Sequence, residues 1–227
     1  MWSASPEFPL AGIKGAAQLL DGRVEERADL RQCTAVIIRE VDRLVRLVED
    51  LLALGAPPKP RLARLNIHWV IQHVLALMGQ ELTQRGIQLR CEFDPSLPDV
   101  QGDDAQLSQV FLNLLKNAIE AMTAADVPRS GATITISTRM ETDFHILRER
   151  DRTGTFLRVE IADQGVGIGA EDATRVFEPF FTTKPRGTGL GLAISHRIVA
   201  EHGGIMRAMP NQPRGTVLTV TLPVSRG

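Results

Sequence analysis

Two glycine clusters in the second half of the chain limit its possible folds more than any other feature. They are Gly165-Val-Gly-Ile-Gly169 and Gly187-Thr-Gly-Leu-Gly191. Glycine lets a backbone approach a phosphate closely and adopt a positive φ without a Cβ clash. The apolar spacing after the second cluster is helical, so its free amides would lie at a helix N-terminus and favour an anion. The clusters predict a nucleotide pocket, although flexible loops have the same composition.

The composition is that of an ordinary soluble protein. Of the 227 residues, 43 % are hydrophobic and 23 % charged, which suffices for one or two domains with cores. The formal net charge of -1 gives no electrostatic reason to expect nucleic acid as a partner. No apolar run is long enough to span a bilayer and no leader pattern is present, so we expect a cytoplasmic protein. Cys33 and Cys91 are far apart in sequence, and we expect both to be buried thiols.

The N-terminal part of the chain carries helical patterns. Residues 1–8 show no periodicity and could have been added for expression, so they are left out of the fold prediction. One apolar stripe runs through residues 10–22. A second apolar row repeats every seven residues at Leu30, Ile37, Leu44 and Leu51. An antiparallel hairpin over residues 9–55 cannot cover its own apolar faces, so we predict a homodimer built on a four-helix bundle. The alternative is a helical appendage folded onto a second domain.

A second domain is predicted after a proline-rich linker at residues 56–60, which cannot continue a helix. Strand patterns alternate with helical ones over residues 61–224. The strand patterns cover residues 62–67, 87–93, 133–140, 155–162, 205–209 and 216–222. The clearest helix follows Asp103, the expected N-cap. The predicted fold class is therefore α+β: a helical hairpin followed by an α/β sandwich with helices on one face of a mostly antiparallel sheet.

Three polar residues share one side of this clearest helix. Asn113, Asn117 and Glu120 lie away from its apolar stripe, because positions three and four apart fall on the same face. Asparagine is a poor helix former, so a role for its side-chain oxygen is plausible. An oxygen-lined site with few protein ligands suits Mg²⁺ bound together with phosphates. The alternative is a solvated helix face.

Four segments resemble, in family order, the sequence boxes of sensor histidine kinases. They are Asn113–Ala121 (N box), Asp163–Ile168 (first glycine box), Phe177–Lys184 (F box) and Gly187–Leu192 (second glycine box). The resemblance implies the Bergerat (GHKL) ATP-binding fold, which chaperone, topoisomerase and mismatch-repair ATPases share. It extends to Pro9–Leu20, which is similar to the dimerisation and phosphotransfer hairpin of nitrogen regulation sensor kinases of the NtrB type.

The resemblance implies roles for individual residues, with ATP and Mg²⁺ as cofactors. Asp163 would accept a hydrogen bond from the adenine amino group, and Asn117 would hold Mg²⁺ with Asn113 assisting. The segment from Phe181 to Arg186 would be a mobile lid that carries Lys184 towards the phosphates. Asn113, Asn117 and Lys184 are thus the implied catalytic residues. The other implied nucleotide-binding positions are Gly165, Gly167, Gly187, Thr188, Gly189, Leu190, Gly191 and Thr216.

The sequence departs from the family at the phosphoacceptor. The pattern His-Glu-X-X-Asn precedes Pro-Leu in the family, and an ungapped count places Ala4, Ser5 and Phe8 at its three fixed positions. The accepting histidine is therefore absent. For His68, the first histidine in the chain, capping or packing is expected. The same expectation holds for the remaining histidines, His73, His145, His196 and His202.

The sequence thus predicts the transmitter region of a sensor histidine kinase, in which the parent protein transfers phosphate from ATP to histidine and then to a response regulator. This chain is expected to bind ATP without labelling itself. One alternative is a non-catalytic dimeric module that regulates a response regulator or a PII-type signal protein. A GHKL ATPase is less favoured, because Asn113 stands where such enzymes carry a glutamate base.

Overall fold

A computed structural model describes residues 7–23, 28–55, 59–123, 132–141, 155–184 and 187–224. The chain divides into two compact units, Met1–Pro58 and Lys59–Gly227. Within the described ranges, no helix is both long and apolar enough to cross a membrane.

The first unit consists of two helices, α1 (Glu7–Arg23) and α2 (Ala28–Gly55), which pack against each other. Helix α1 begins three residues before the predicted apolar stripe. Lys14 Nζ of α1 lies 2.6 Å from Asp42 Oδ1 of α2, and the side chain of Val41 beside it is buried. This ion pair links the two helices.

The seven-residue apolar row of α2 remains on the outside of this unit. Its four side chains are between 41 and 48 % exposed: Leu30, Ile37, Leu44 and Leu51. A continuous row of exposed aliphatic side chains is unusual on an isolated soluble unit and marks an interaction face. Cys33, which we expected to be buried, is also exposed, because it lies on an outward side of the same helix.

The second unit is built on a five-stranded mixed sheet. The strands in chain order are β1 (Ala63–Leu65), β2 (Gln88–Phe93), β3 (Val100–Gly102), β4 (Thr133–Glu141), β5 (Phe156–Ala162), β6 (Ile205–Pro210) and β7 (Thr216–Pro223). The sheet order is β2-β4-β5-β7-β6, with β2 and β4 parallel and the other neighbours antiparallel. Strands β1 and β3 form a separate antiparallel ribbon. The predicted hairpin of β4 and β5 is confirmed, whereas β3 was missed because three residues are too few to show a pattern.

Three helices cover the sheet: α3 (Ile67–Gln84), α4 (Asp104–Met122) and α5 (Gly191–Glu201), with α4 contacting both others. The N-cap prediction is confirmed, because Asp103 Oδ1 accepts a hydrogen bond of 3.1 Å from Gln106 N. The predicted apolar stripe of α4 is at most 3 % exposed at Leu107, Val110, Phe111, Leu114, Leu115, Ala118, Ile119 and Met122. Burial of each large side chain contributes about 1.5–3 kcal/mol, so α4 is the centre of the core.

Strand β2 does not have the buried face that its alternating sequence predicts. Leu89 is 36 % exposed and Cys91 is exposed as well, against our expectation of a buried thiol. The strand lies at the edge of the sheet and pairs only with β4. Alternation indicates the strand but not its position in the sheet, so the prediction of burial was wrong.

Two histidines have the packing roles expected of them. His202 is buried, with Nδ1 2.8 Å from a backbone oxygen of α5 and Nε2 accepting a hydrogen bond of 3.0 Å from Asp103 N. This ring joins the end of α5 to the start of α4. His68 Nε2 lies 2.9 Å from Thr138 Oγ1, and its ring stacks on Phe93 at 4.9 Å. Burial lowers the pKa of His68, which favours the neutral ring.

Candidate functional site

Asp163 lies directly after β5 and is 97 % buried, since only 3 % of its surface is exposed. Its Oδ1 accepts hydrogen bonds from Gly165 N at 2.8 Å and Thr216 N at 3.2 Å, and its own N–H donates to Thr216 O. No hydrogen bond reaches Oδ2 from any residue that the structure describes. One carboxylate oxygen is therefore fixed by the fold, and the other is available to a ligand.

The electrostatics of Asp163 reflect opposing effects. Burial raises the pKa of its carboxyl group, because the charged form loses hydration. The amides of Gly165 and Thr216 and the positive charge of Lys184 act in the opposite direction and lower this pKa, but burial dominates. A buried carboxylate with one unused acceptor is suited to bind a hydrogen-bond donor such as an exocyclic amine.

Two close backbone approaches surround Asp163. A Cβ on Gly165 would lie 2.6 Å from the backbone carbonyl carbon of Ala121. The first glycine cluster can therefore approach α4 this closely only because Gly165 has no side chain. At Gly215, whose φ is +105°, a Cβ would lie 2.0 Å from Asp163 O. Only glycine fits at either position. Gly215 was not among the predicted site residues, since the lone glycine of a turn carries no motif.

The loop before β7 provides further contacts that the sequence did not indicate. Asn211 Nδ2 donates a hydrogen bond of 2.7 Å to Asp163 O, and Arg214 Nε donates one of 3.1 Å to Gly165 O. These bonds fasten the first glycine cluster to the loop from the opposite side. The predicted position Thr216 contributes its backbone amide to Asp163, and its side chain is buried.

The polar side chains of α4 contact two different segments of the chain. Asn117 Oδ1 and Glu120 Oε2 both contact Lys184 Nζ, at 2.8 and 2.5 Å. Asn113 faces α5 instead, where its Nδ2 donates to Gly191 O at 3.2 Å and to Ser195 Oγ at 3.4 Å. The structure thus brings Asn117 and Lys184 together and uses the amide of Asn113 to hold the first turn of α5.

The second glycine cluster leads directly into α5. Leu190 is the residue before this helix, is fully buried, and makes no side-chain cap, while Thr188 Oγ1 accepts a weak hydrogen bond of 3.4 Å from Leu190 N. No surface of Leu190 is exposed in this structure, and its backbone amide already has an acceptor. Helix N-termini without a capping side chain offer amides to anions. The predicted positions Gly187 and Gly189 lie in the segment that leads into α5, and Gly191 is the first residue of this helix.

The segment before that cluster is held at its base. Phe180 N donates a hydrogen bond of 3.0 Å to Gly189 O, and Phe180 has a φ of +67°, uncommon for a bulky residue. Pro185, Arg186, Ala4 and Ser5 lie outside the described residues. No group of three or more His, Cys, Asp or Glu side chains in the described parts of the chain could hold a metal ion.

The sequence is similar to two protein-family profiles. Residues 102–226 match the profile described as histidine kinase-, DNA gyrase B- and HSP90-like ATPase, and residues 9–57 match the His Kinase A (phospho-acceptor) domain. Sensor histidine kinase ZraS of Escherichia coli K12 is 36 % identical over 96 % of this chain and 43 % of its own length. Sensory histidine kinase/phosphatase NtrB of Azospirillum brasilense is 39 % identical over 95 % of this chain and 52 % of its own. The chain thus spans about half the length of these relatives.

Two solved structures are also similar to this chain in fold. Full-length ShkA in complex with AMPPNP superposes with a TM-score of 0.76 at 25 % identity, covering 97 % of this chain and 44 % of that one. Histidine kinase ThkA in complex with the response regulator protein TrrA has a TM-score of 0.68 at 25 % identity, covering 96 % and 58 %.

Proposed function

This chain belongs to the histidine kinase-, DNA gyrase B- and HSP90-like ATPases and is a histidine kinase transmitter, and we propose that its parent protein transfers the γ-phosphate of ATP to a histidine and then to an aspartate of a response regulator. The similarity to ThkA, which was solved in complex with a response regulator, supports that partner. The free Oδ2 of the buried Asp163 is the observation that carries the proposal, because this oxygen can accept a hydrogen bond from the amino group of adenine.

The residues around Lys184 fit a nucleotide-bound magnesium ion. Asn117 Oδ1 and Glu120 Oε2 converge on one ammonium group, and Mg²⁺ prefers such oxygen ligands, together with phosphates and water. When bound, Mg-ATP supplies the transferable phosphoryl group with part of its charge neutralised. In our proposal Asn117 holds the ion, and the amides from Gly187 to Gly191 bind the phosphates at the start of α5. Lys184 adds a positive charge near them.

The nucleophile in this family is an imidazole, and this chain has Ala4 at the corresponding position. We therefore expect no incorporation of label when the purified chain is incubated with γ-labelled ATP and Mg²⁺. The triple change Ala4→His, Ser5→Glu and Phe8→Asn restores the family pattern and should produce acid-labile, base-stable label. The same triple change combined with Asp163→Asn is the control and should remain unlabelled.

Each possible result of this experiment decides for or against one of the proposed functions. Label on the unaltered chain would contradict the proposed absence of a phosphoacceptor. A restored chain that binds ATP but takes up no label would favour the alternative of an ATP-dependent regulatory module. An ATPase of the chaperone type is disfavoured further by Asn113, whose amide is bound to Gly191 and Ser195 and cannot act as a base.

We also propose that the chain acts as a homodimer. The exposed row of Leu30, Ile37, Leu44 and Leu51 would be covered by the same row of a second copy, as in a four-helix bundle. The match to the His Kinase A domain supports this arrangement. Light scattering on the purified chain should give twice the mass of the monomer.

The choice of response regulator is a finer proposal. Nitrogen regulation is favoured by the NtrB relatives, but ZraS is comparably similar to this chain. Phosphotransfer from the restored chain to a panel of purified receiver domains would decide, with a nitrogen-regulation receiver as the expected preferred acceptor. A PII-type signal protein is proposed as a further partner, to be tested by co-elution. We propose a cytoplasmic location, because ATP and receiver domains are available there.

A further inference from the structure

Lys184 connects residues 181–184, the described part of the predicted lid segment, to α4. Its Nζ donates hydrogen bonds to Asn117 Oδ1 at 2.8 Å and to Glu120 Oε2 at 2.5 Å. Its backbone is also held, since Lys184 N donates to Thr182 Oγ1 at 3.1 Å and Lys184 O accepts from Gly187 N at 3.2 Å. The ammonium group therefore lies on α4, beside Asn117 and Glu120.

The two oxygens that hold this ammonium are suited to a divalent cation as well. Asn117 and Glu120 lie three positions apart on α4, so their side chains leave the same face of the helix and converge on one point. A hard cation such as Mg²⁺ prefers one or two carboxylate or amide oxygens of this kind. Lys184 and a magnesium ion cannot occupy that point together, because both are cations that need the same oxygens.

We propose that Lys184 occupies the cation position of the nucleotide-free site, and that Glu120 is an additional residue of this site which holds the ammonium first and the magnesium ion of the nucleotide afterwards. Released from Asn117 and Glu120, Lys184 becomes free to contact the phosphates. This inference rests on the proposed ATP-binding function. It goes beyond it by assigning a role to Glu120 and a second, nucleotide-free role to Lys184.

A cation at this position also acts on Asp163. The charge of Lys184 lowers the pKa of the buried Asp163, and so helps to keep that carboxylate ionised against the effect of burial. The exchange of one cation for another preserves this positive charge near the adenine pocket. The protein thus keeps Asp163 ready as an acceptor before the nucleotide arrives.

The contact is weak enough to be exchanged. The side chains of Lys184 and Glu120 are 39 and 55 % exposed, and exposed ion pairs shift an equilibrium by less than about fivefold. A magnesium ion bound to a triphosphate can therefore displace the ammonium group of Lys184 at a small cost in free energy. The ion pair biases the position of the lid and does not lock it.

Lysine NMR gives a direct test on the nucleotide-free chain. The sequence has only four lysines, so ¹³Cε-labelled lysine gives four signals, and Lys184→Arg identifies the one of interest. We compare the wild type with Glu120→Gln, which keeps shape but removes charge. The matched control is Glu81→Gln, because Glu81 forms a similar exposed ion pair with Arg85, at 2.8 Å, on α3. The Lys184 signal should be shifted and should show the fast transverse relaxation of an immobilised group in the wild type and in Glu81→Gln, and it should be close to that of a free lysine in Glu120→Gln.

The second measurement is the magnesium dependence of nucleotide affinity. The ratio of the AMPPNP dissociation constants in EDTA and in Mg²⁺ should be about tenfold smaller in Glu120→Gln than in the wild type, and unchanged in Glu81→Gln. On addition of Mg-AMPPNP, the wild-type Lys184 signal should move to a new position. A mobile Lys184 in the nucleotide-free wild type, or an unchanged magnesium ratio in Glu120→Gln, would overturn the inference. Failure of the wild type to bind AMPPNP at all would instead refute the proposed function, which makes the two failures distinguishable.

Discussion

Replacement of Asp163 by asparagine tests the adenine contact with little disturbance of the fold. Oδ1 accepts two backbone amides, and the carbonyl oxygen of an asparagine can accept the same two bonds. The amide nitrogen would then take the place of the free Oδ2. Because burial already raises the pKa of Asp163, a neutral side chain is less costly to bury than the carboxylate. We therefore expect the thermal unfolding midpoint to stay the same or to rise.

The effect on nucleotide binding should be large. The change removes a charge-assisted acceptor, worth about 1.5–3 kcal/mol, and sets an NH₂ group against the amino group of adenine, which leaves donors unpaired. A combined loss of about 3 kcal/mol of binding free energy corresponds to a dissociation constant that is roughly 150-fold larger. Inosine triphosphate carries a carbonyl in place of the amino group, so the asparagine NH₂ can donate to it. The variant should thus lose the preference for ATP over ITP.

Isothermal titration calorimetry with Mg-AMPPNP, and competition with ATP and ITP, measures both effects. Asp99→Asn is the matched control, since Asp99 carries the same carboxylate on a side chain that is 41 % exposed and forms a long ion pair of 4.0 Å with Arg64. This variant should bind as the wild type does. If Asp163→Asn binds AMPPNP with wild-type affinity while still folded, or if the wild type binds ITP as tightly as ATP, the assignment of Asp163 to adenine is wrong.

Three other predictions follow from the same structure. The raised pKa of Asp163 means that protonation begins at a higher pH than for an ordinary aspartate; AMPPNP affinity should therefore fall as the pH is lowered through that region, and a flat profile would contradict this. Gly165→Ala should lower the free energy of unfolding by about 1–3 kcal/mol in urea titrations, because its Cβ would meet Ala121, whereas Gly79→Ala, in an open part of a helix, should raise it by up to about 1 kcal/mol. Ile37→Glu should convert the proposed dimer to a monomer in light scattering without loss of helical circular dichroism, since Ile37 is 42 % exposed within one chain.

Local patterns were sufficient for much of the second unit. The apolar spacing of α4 and the capping residue Asp103 are both confirmed, because a helix in the centre of a core has one strongly apolar side and a polar start. The alternation of β4 and β5 was also sufficient to predict their pairing. Strand β2 alternates in the same way, but its exposure depends on having a neighbour on one side only, and such a tertiary property is not visible in the strand itself.

The site itself was only partly visible in the sequence. The glycine clusters and the polar face of α4 indicated where it would be, but Asn211 and Gly215 come from a turn with no recognisable motif. The face of α4 also does not act as a unit. Asn113 and Asn117 are four positions apart, yet one binds α5 and the other binds the lid, because the partners of a side chain depend on which segments the fold brings beside it.

Helix α4 relates the parts of the site to one another. The carbonyl of Ala121, near its end, accepts a hydrogen bond from Val166 N of the first glycine cluster. Glu120, directly before Ala121, and Asn117, one turn before it, hold Lys184, and a further turn back Asn113 holds the start of α5. The rise of a helix is fixed at 1.5 Å per residue, so the spacing of these anchors sets the distances between the proposed adenine contact at Asp163, the proposed cation position and the start of α5. Because this helix is deeply buried, those distances are set by the packed core of the unit and do not depend on the conformation of residues 181–184.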